Sequence, residues 1–384
     1  QQFFAGLYGH TDINQDPMSA GRQMGGHFAT HSLDENGQWK NLTGQKNSSA
    51  DISPTAGQMP RLLGLAQASK IFRNVKGLEA FTNFSKQGNE VAWGTIGNAS
   101  TSEGLFFETI NAAGVLQVPM VMSVWDDEYG ISVHARHQTT KENISEILAG
   151  FQRDEDKNGY EILRVKGWDY PALVETYQKA SKIAREEHVP VLIHVNELTQ
   201  PQGHSTSGSH ERYKSKERLA WETEFDCIAQ MRQWMLTSNI ASEEELSEME
   251  TTAKKDVLEG KKAAWTAFTA PIKAEQQELV ALLNTIAASS ANKVFIEKYA
   301  NDLVAIKEPI RKDIIATARK ILRMIIGENG QSQLATWITN YTNKIQPKFS
   351  LHLFSQSDKN VFSVQEVKPT YDETAEEVDA RLVL

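Results

Sequence analysis

Four short apolar runs, EVAWGTI, VPMVMSVW, YEILRV and PVLIHVNE, alternate with helix-length segments between residues 90 and 197. That alternation constrains the fold more tightly than anything else in the chain. Runs that are apolar throughout, instead of at every second position, belong to strands buried on both faces. Strands separated by helices pair parallel, because each crossover must carry the chain back to the same end of the sheet. The covering helices are read in TSEGLFFETINAAGV, ENISEILAGF and YPALVETYQKASKIAREEH, preceded by PTAGQMPRLLGLAQASKIFR, whose start is set by Pro and Gly. In TSEGLFF, Thr101 or Ser102 is the expected N-cap, with Glu103 in the positively polarised first turn.

The flanks read differently. Residues 1–53 are rich in Gly, Ser, Asn and Gln, a loop-rich composition of the kind that is often functional. The α/β core is assigned to residues 54–215, a helical segment to 216–345 and an extended tail to 346–384. In the helical segment Ile310, Ile314, Ala318, Ile321 and Ile325 recur at helical spacing, a stripe expected to pack against the rest of the protein. The C-terminal run ARLVL and the start without Met read as a piece of something longer, or as one half of a split assembly.

At 384 residues the chain has room for a large core or two domains. Its net charge of −9 argues against general nucleic-acid binding, which needs a basic face to displace counterions. No apolar run reaches the roughly 18 residues of a membrane span. The single cysteine, Cys227, cannot form an internal disulfide; it suits a reducing compartment, the cytoplasm, and reads as a buried structural thiol.

Chemistry concentrates where strands end. Asn98 follows the first run in IGNASTSEG, and Asp127 follows the second in VWDDEYGIS. In a parallel α/β sheet, ligands sit beyond the carboxyl ends of the strands, and a helix start there favours phosphate. Magnesium takes near-octahedral oxygen, usually one or two protein groups with phosphates and water. One amide oxygen, one carboxylate and a carbonyl near Tyr129 would suit magnesium diphosphate; two solvated acidic turns would carry the same residues. In GHSTSGSHERY, His204 beside Ser205, with His210 close by, invites a hydrolase reading, but Ser207 occupies the last glycine position of the nucleophile elbow that Gly203 would open. HERY lacks the second histidine of a zinc H-E-x-x-H, and the glycines around His27 and His31 weaken a helical pair there.

Taken together, AGRQMGGHF, SPTAGQMP, GNASTSEG, DDEYGIS and GHSTSG resemble the alpha subunit, or alpha half, of thiamine-diphosphate-dependent 2-oxoacid dehydrogenases. The resemblance covers roughly residues 15–260, with all five motifs in the family's order. It implies a thiamin-diphosphate-binding fold, thiamine diphosphate and Mg2+ as cofactors, and oxidative decarboxylation of a 2-oxoacid. It implies as partners a beta subunit or fused beta half, carrying the activating glutamate, and a lipoyl-bearing acyltransferase. The rivals are a transketolase-like ketol transferase and a catalytically silent scaffold.

The family's motif opens G-D/E-G and closes N-N-x-Y; here the positions read Gly97-Asn98-Ala99 and Asp126-Asp127-Glu128-Tyr129. By resemblance, Asn98, Asp127 and the Tyr129 carbonyl hold the metal, and Gly97 and Ala99 line the diphosphate. Ser53, Thr55, Gly57 and Gln58 match the segment beside the aminopyrimidine, and Ile131 supports the ring stack. His204 matches the loop histidine, implied to bind cofactor and assist acyl transfer, and Ser205 the serine that kinases modify in some relatives. Two departures stand out: the acid-then-amide order of the metal pair is reversed, and Gln200 and Gln202 replace basic or histidine positions.

Overall fold

The computed structural model describes the chain except for residues 23–28, 35, 50–53, 201–203, 205–208, 351–364, 380 and 382–384. Two compact units are present, one of residues 1–30 and 41–271, the other of 31–40 and 272–384.

The first unit begins with α1 (Gln2–Leu7) and α2 (Met59–Asn74). The four expected strands follow as β1 (Ala92–Gly97), β2 (Met120–Trp125), β5 (Glu161–Lys166) and β6 (Val191–Asn196). Between β2 and β5 lies a small antiparallel hairpin, β3 (Tyr129–Gly130) and β4 (Val133–His134). The four long strands form one parallel sheet in the order β1-β2-β6-β5.

Their burial explains the continuous apolar runs. Met120, Met122, Val124 and Leu192 pack on one face against α2 and α3 (Gly104–Leu116), through Leu62, Ala66, Phe106 and Ile110. Val121, Val191, Ile193 and Val195 pack on the other face against α5 (Tyr170–Lys182) and the π-turn Ile183–Glu187, through Ala180, Ile183 and Ala184. A Cβ on Gly94 would stand 2.5 Å from the Leu62 Cδ2 and 3.1 Å from the Met122 Cε, so α2 packs closely over β1 at this position.

The expected helix over ENISEILAGF is only α4 (Ile144–Ile147), continued as a 3-10 turn at Leu148–Phe151. After β6 come α6 (Lys216–Glu224) and α7 (Cys227–Thr237), where one helix was expected; Asp226 breaks the run and caps α7 at Ala229 N–H. Cys227 opens α7 half-buried, its Sγ 3.8 Å from Thr199 Oγ, and is therefore not the buried core thiol expected. A first-turn position faces the helix end instead of the packed stripe. Neither Thr101 nor Ser102 caps α3: both lie in a 3-10 turn, and Glu103 takes the N-cap position without a side-chain bond.

The helix α8 (Glu243–Ala287) crosses the unit boundary at Pro271. Within the second unit α9 (Lys293–Ala305), α10 (Arg311–Met324) and α11 (Gln331–Ile345) bury Ile296, Leu303, Ile314, Ile321, Leu334 and Tyr341. Of the isoleucine stripe, Ile314, Ala318, Ile321 and Ile325 are buried; Ile310 is exposed because it precedes α10 as its N-cap. The buried Glu275 carboxylate joins three helices of this unit, accepting from Arg311 Nε at 2.9 Å and from the Tyr341 hydroxyl at 3.0 Å. The start of the tail is not wholly extended, since α12 (Pro347–Ser350) forms one more turn. Among the described residues no helix is long and apolar enough to cross a membrane.

His188 closes the π-turn in a left-handed conformation (φ 57°), and its Nε2 lies 3.1 Å from the Gly88 carbonyl. Burial pushes the imidazole below the ordinary histidine value; the Gly88 carbonyl opposes this, and the Arg73 and Lys70 charges reinforce it. The fold therefore prefers neutral His188. Its contribution is complete above the unfolded value of about 6.5 and is lost as pH falls through the lower folded value. His188→Asn, compatible with the left-handed backbone, is expected to flatten the fall in Tm between about pH 7 and pH 5, measured by thermal melts against wild type.

Candidate metal and diphosphate site

The register of the sheet assembles the site. Gly97 on β1 pairs with Trp125 on β2, so the two strands end abreast. The next residues stay tied, with Asn98 N–H donating to the Trp125 carbonyl at 3.0 Å. Asn98 is buried and begins the 3-10 turn Ala99–Ser102; its side chain does not cap that turn, whose Thr101 Oγ donates to the Asn98 carbonyl at 2.6 Å. The expected direct feed into a helix N-terminus is thus replaced by this short turn, and α3 starts only at Gly104.

The second turn is held from beneath and beside. Asp126 N–H donates to the Val195 carbonyl at 2.9 Å, and the Asp126 carbonyl accepts from Leu198 N–H at 3.1 Å. The Asp126 carboxylate accepts from Glu128 N–H at 2.8 Å and pairs with His194 Nε2 at 2.9 Å, while His194 Nδ1 meets Ser145 Oγ at 2.8 Å. Asp126, His194 and Ser145 are all buried, so this line of polar groups crosses the core to the first turn of α4.

Asp127 and Tyr129 come next. The Asp127 carboxylate accepts from Tyr129 N–H at 3.1 Å. Burial pushes its acidity toward weaker values; the Tyr129 N–H and the Lys214 charge oppose that, and neighbouring Asp126 adds to it. A carboxylate so placed gains by meeting a cation. Glu128 and Ile131 both adopt left-handed backbones, with φ 68° and φ 59°. For a β-branched residue that is a genuine outlier, and such strain gathers at functional turns. Ile131 stands at the tip of the β3–β4 hairpin and is 63% exposed, an apolar side chain presented to whatever covers the turn.

The two turns touch. A Cβ built on Gly130 would lie 2.6 Å from the Ala99 Cβ and 2.4 Å from Gln138 Nε2. Gly97, Asn98 and Ala99 are thereby brought together with Asp127, Tyr129 and Ile131. His204 reaches the same neighbourhood: its backbone N–H bonds the Tyr213 hydroxyl, and the Tyr213 ring sits 5.8 Å from that of Tyr129. Thr55, Gly57 and Gln58 form a separate turn at the start of α2, with Gly57 N–H donating to the Pro54 carbonyl at 3.0 Å. Ser53, Gln202, Ser205, Ser207 and His27 lie outside the described residues.

Residues that the sequence reading passed over complete the surroundings. Lys214, buried, contacts both Glu222 oxygens at 2.7 and 2.9 Å and lies 4.9 Å from the Tyr129 ring centre. Arg218 on α6 donates to Glu222 at 2.8 Å, to the Asp127 carbonyl at 2.9 Å and to the Glu128 carboxylate. Among the described residues no group of three or more His, Cys, Asp or Glu side chains is placed to hold a metal. Amide, carbonyl and ligand oxygens with one carboxylate are a donor set magnesium accepts alongside phosphates.

Parallel strands that end in an amide-bearing turn and a carboxylate-bearing turn, in contact with each other, define an α/β domain with a candidate ligand site at the sheet's carboxyl edge. Comparison with known proteins assigns the family. Residues 2–273 match the family described as dehydrogenase E1 component, and the chain belongs to it. It is 26% identical over 275 residues to 2-oxoisovalerate dehydrogenase subunit alpha 1, mitochondrial, of Arabidopsis thaliana, covering 71% of this chain and 49% of that protein. It is 28% identical over 232 residues to the 2-oxoisovalerate dehydrogenase subunit alpha of Bacillus subtilis (strain 168), covering 60% and 59%. With the pyruvate dehydrogenase E1 component subunit alpha of Rickettsia bellii (strain RML369-C) it shares 26% over 175 residues, 44% of this chain and 50% of that protein. The chain thus spans about half the length of the curated relatives it matches.

Gly130→Ala should force the two turns apart, since neither the Ala99 Cβ nor the backbone beneath it can retreat easily. The expected cost is about 1–3 kcal/mol of stability by overpacking. Denaturant unfolding of the variant against wild type reads it.

Proposed function

We propose that this chain is the alpha part of a thiamine-diphosphate-dependent 2-oxoacid dehydrogenase. The assembly would decarboxylate a 2-oxoacid and pass the acyl group to a lipoyl-bearing acyltransferase. One observation carries the reading: Asn98, Asp127 and Tyr129 emerge side by side from two hydrogen-bonded strands, with Ala99 and Gly130 in contact between them.

On this reading the Asn98 amide oxygen, the Asp127 carboxylate and the Tyr129 carbonyl would hold Mg2+. The reversed order of amide and acid leaves one carboxylate to offset the ion, with its charge on the β2 turn instead of the β1 turn. Gly97 and Ala99 would admit the diphosphate closely, lacking bulk on that side. Ser53, Thr55, Gly57 and Gln58 would flank the aminopyrimidine, and Ile131 would press against the rings from its strained hairpin tip. His204, docked through Tyr213 beside the metal turn, would bind at the diphosphate end and move a proton during acyl transfer. Thiamine diphosphate, when bound, supplies the nucleophilic carbon and the electron sink on which decarboxylation depends. The protein's share is position and charge placement in a water-poor pocket.

The glutamate that activates the aminopyrimidine would come from a beta subunit or fused beta half, making each active site a shared one. The exposed Trp125, Ile131 and Val133 around the metal turn fit coverage by a second polypeptide segment. A reducing compartment such as the cytoplasm suits the single thiol.

Native mass spectrometry of the assembly purified with Mg2+ and thiamine diphosphate is expected to show a particle larger than this chain that retains cofactor. Asp127→Ala should weaken cofactor retention by more than about tenfold, since even outer-shell changes at metal sites cost about that much. Asn98→Asp should retain it. Cofactor retention unaffected by Asp127→Ala would favour the silent scaffold, and labelling of Ser205 by a fluorophosphonate probe would favour a hydrolase.

A further inference from the structure

Glu128 occupies a left-handed backbone position, φ 68°, next to Asp127. A non-glycine residue there is disfavoured by roughly five- to thirty-fold relative to an ordinary conformation. Rotation of the 127–128 peptide plane relieves such strain, because it carries the following residue from positive to negative φ. The same rotation would turn the Asp127 carbonyl away from its partner and withdraw the Glu128 N–H from the Asp126 carboxylate. Something has to oppose it.

The Asp127 carbonyl accepts from Arg218 Nη2 at 2.9 Å, and the Glu128 carboxylate pairs with Arg218 Nη1. One planar guanidinium thus holds the carbonyl of the strained peptide and the side chain of the residue after it, a geometry that lysine cannot reproduce. The peptide's N–H, on Glu128, donates to the Asp126 carboxylate at 2.8 Å. Arg218 is itself held from behind, its Nε donating at 2.8 Å to Glu222, which is buried and also bound by Lys214. Its guanidinium lies 4.7 Å from the Trp221 ring centre and 5.6 Å from that of Tyr129. Glu222 and Trp221 thus fix the donor before it meets the turn.

We propose that Arg218 is a positioning residue that locks the 127–128 peptide in its strained orientation, and with it the turn that carries Asp127 and Tyr129. The inference rests on the reading of these residues as a magnesium diphosphate site.

The test is hydrogen exchange of the protein without cofactor, followed by Mg2+ titration of thiamine diphosphate retention, both on the full assembly. Arg218→Met is expected to speed exchange at the Glu128 and Tyr129 amides by about tenfold, the scale of one charge-assisted hydrogen bond. Exchange in β2 and β6 should stay unchanged. The Mg2+ concentration for half-retention should rise by a similar factor, and Arg218→Lys, the milder variant, should fall between. Glu128→Gly and Glu128→Gln together supply the discriminating backgrounds: both lose the carboxylate but only glycine removes the strain, so Arg218→Met should alter exchange and Mg2+ requirement far less in Glu128→Gly than in Glu128→Gln. Equal effects in both backgrounds, or faster exchange spread through the sheet, would overturn the inference and leave Arg218 a general structural contact. A wild-type assembly that retains no cofactor at any Mg2+ concentration overturns the reading of the site, whereas the exchange data, which need no cofactor, alone decide whether Arg218 locks the peptide.

Discussion

Everything at the candidate site depends on the in-register parallel pairing of β1 with β2. A parallel ladder fixes relative position along the strands as well as neighbourhood, and here it makes Gly97 and Trp125 partners. Their successors then leave the sheet at the same height, still joined by the Asn98–Trp125 bond. A slip of one residue would send Asn98 or Asp127 to the opposite face of its strand. The two apolar clusters resist that slip by pinning alternate residues of β2 to opposite layers, Met122 to α2 and α3, Val121 to α5. Packing far from the site therefore sets its geometry.

Much of this was legible in the sequence, because it is written in local patterns. Continuous apolar runs mark doubly covered strands, and all four strands form where the runs lie. The turn residues Asn98 and Asp127 were found from strand ends alone. What the sequence hid is of two kinds. Local punctuation was misjudged where competing bonds exist: Thr101 turns its hydroxyl back to the Asn98 carbonyl instead of capping α3, and Asp226 divides one apparent helix into two. Long-range partners could not be read at all. His194 reaches Asp126 from 68 residues away and Arg218 reaches Glu128 from 90, with only a charge and a helix to announce them.

Those hidden partners answer an electrostatic difficulty. Three acids in a row, Asp126, Asp127 and Glu128, would repel one another in a half-buried turn. Each is met by a basic side chain from another element: His194 on β6, Lys214 before α6 and Arg218 within it. Glu222 keeps the two cations of this set in place. Such a network is worth keeping only if complete, because removing one partner leaves a buried charge without compensation.

The bare Gly130 backbone against the Ala99 methyl has a meaning for descent as well as for geometry. Two turns separated by about thirty residues in sequence share one fixed volume, filled by one methyl group. In any lineage of this fold that keeps the site, enlargement at either position must be matched by a loss at the other. The two positions should therefore drift as a coupled pair, and their combined size, more than the identity of either residue, is the inherited quantity.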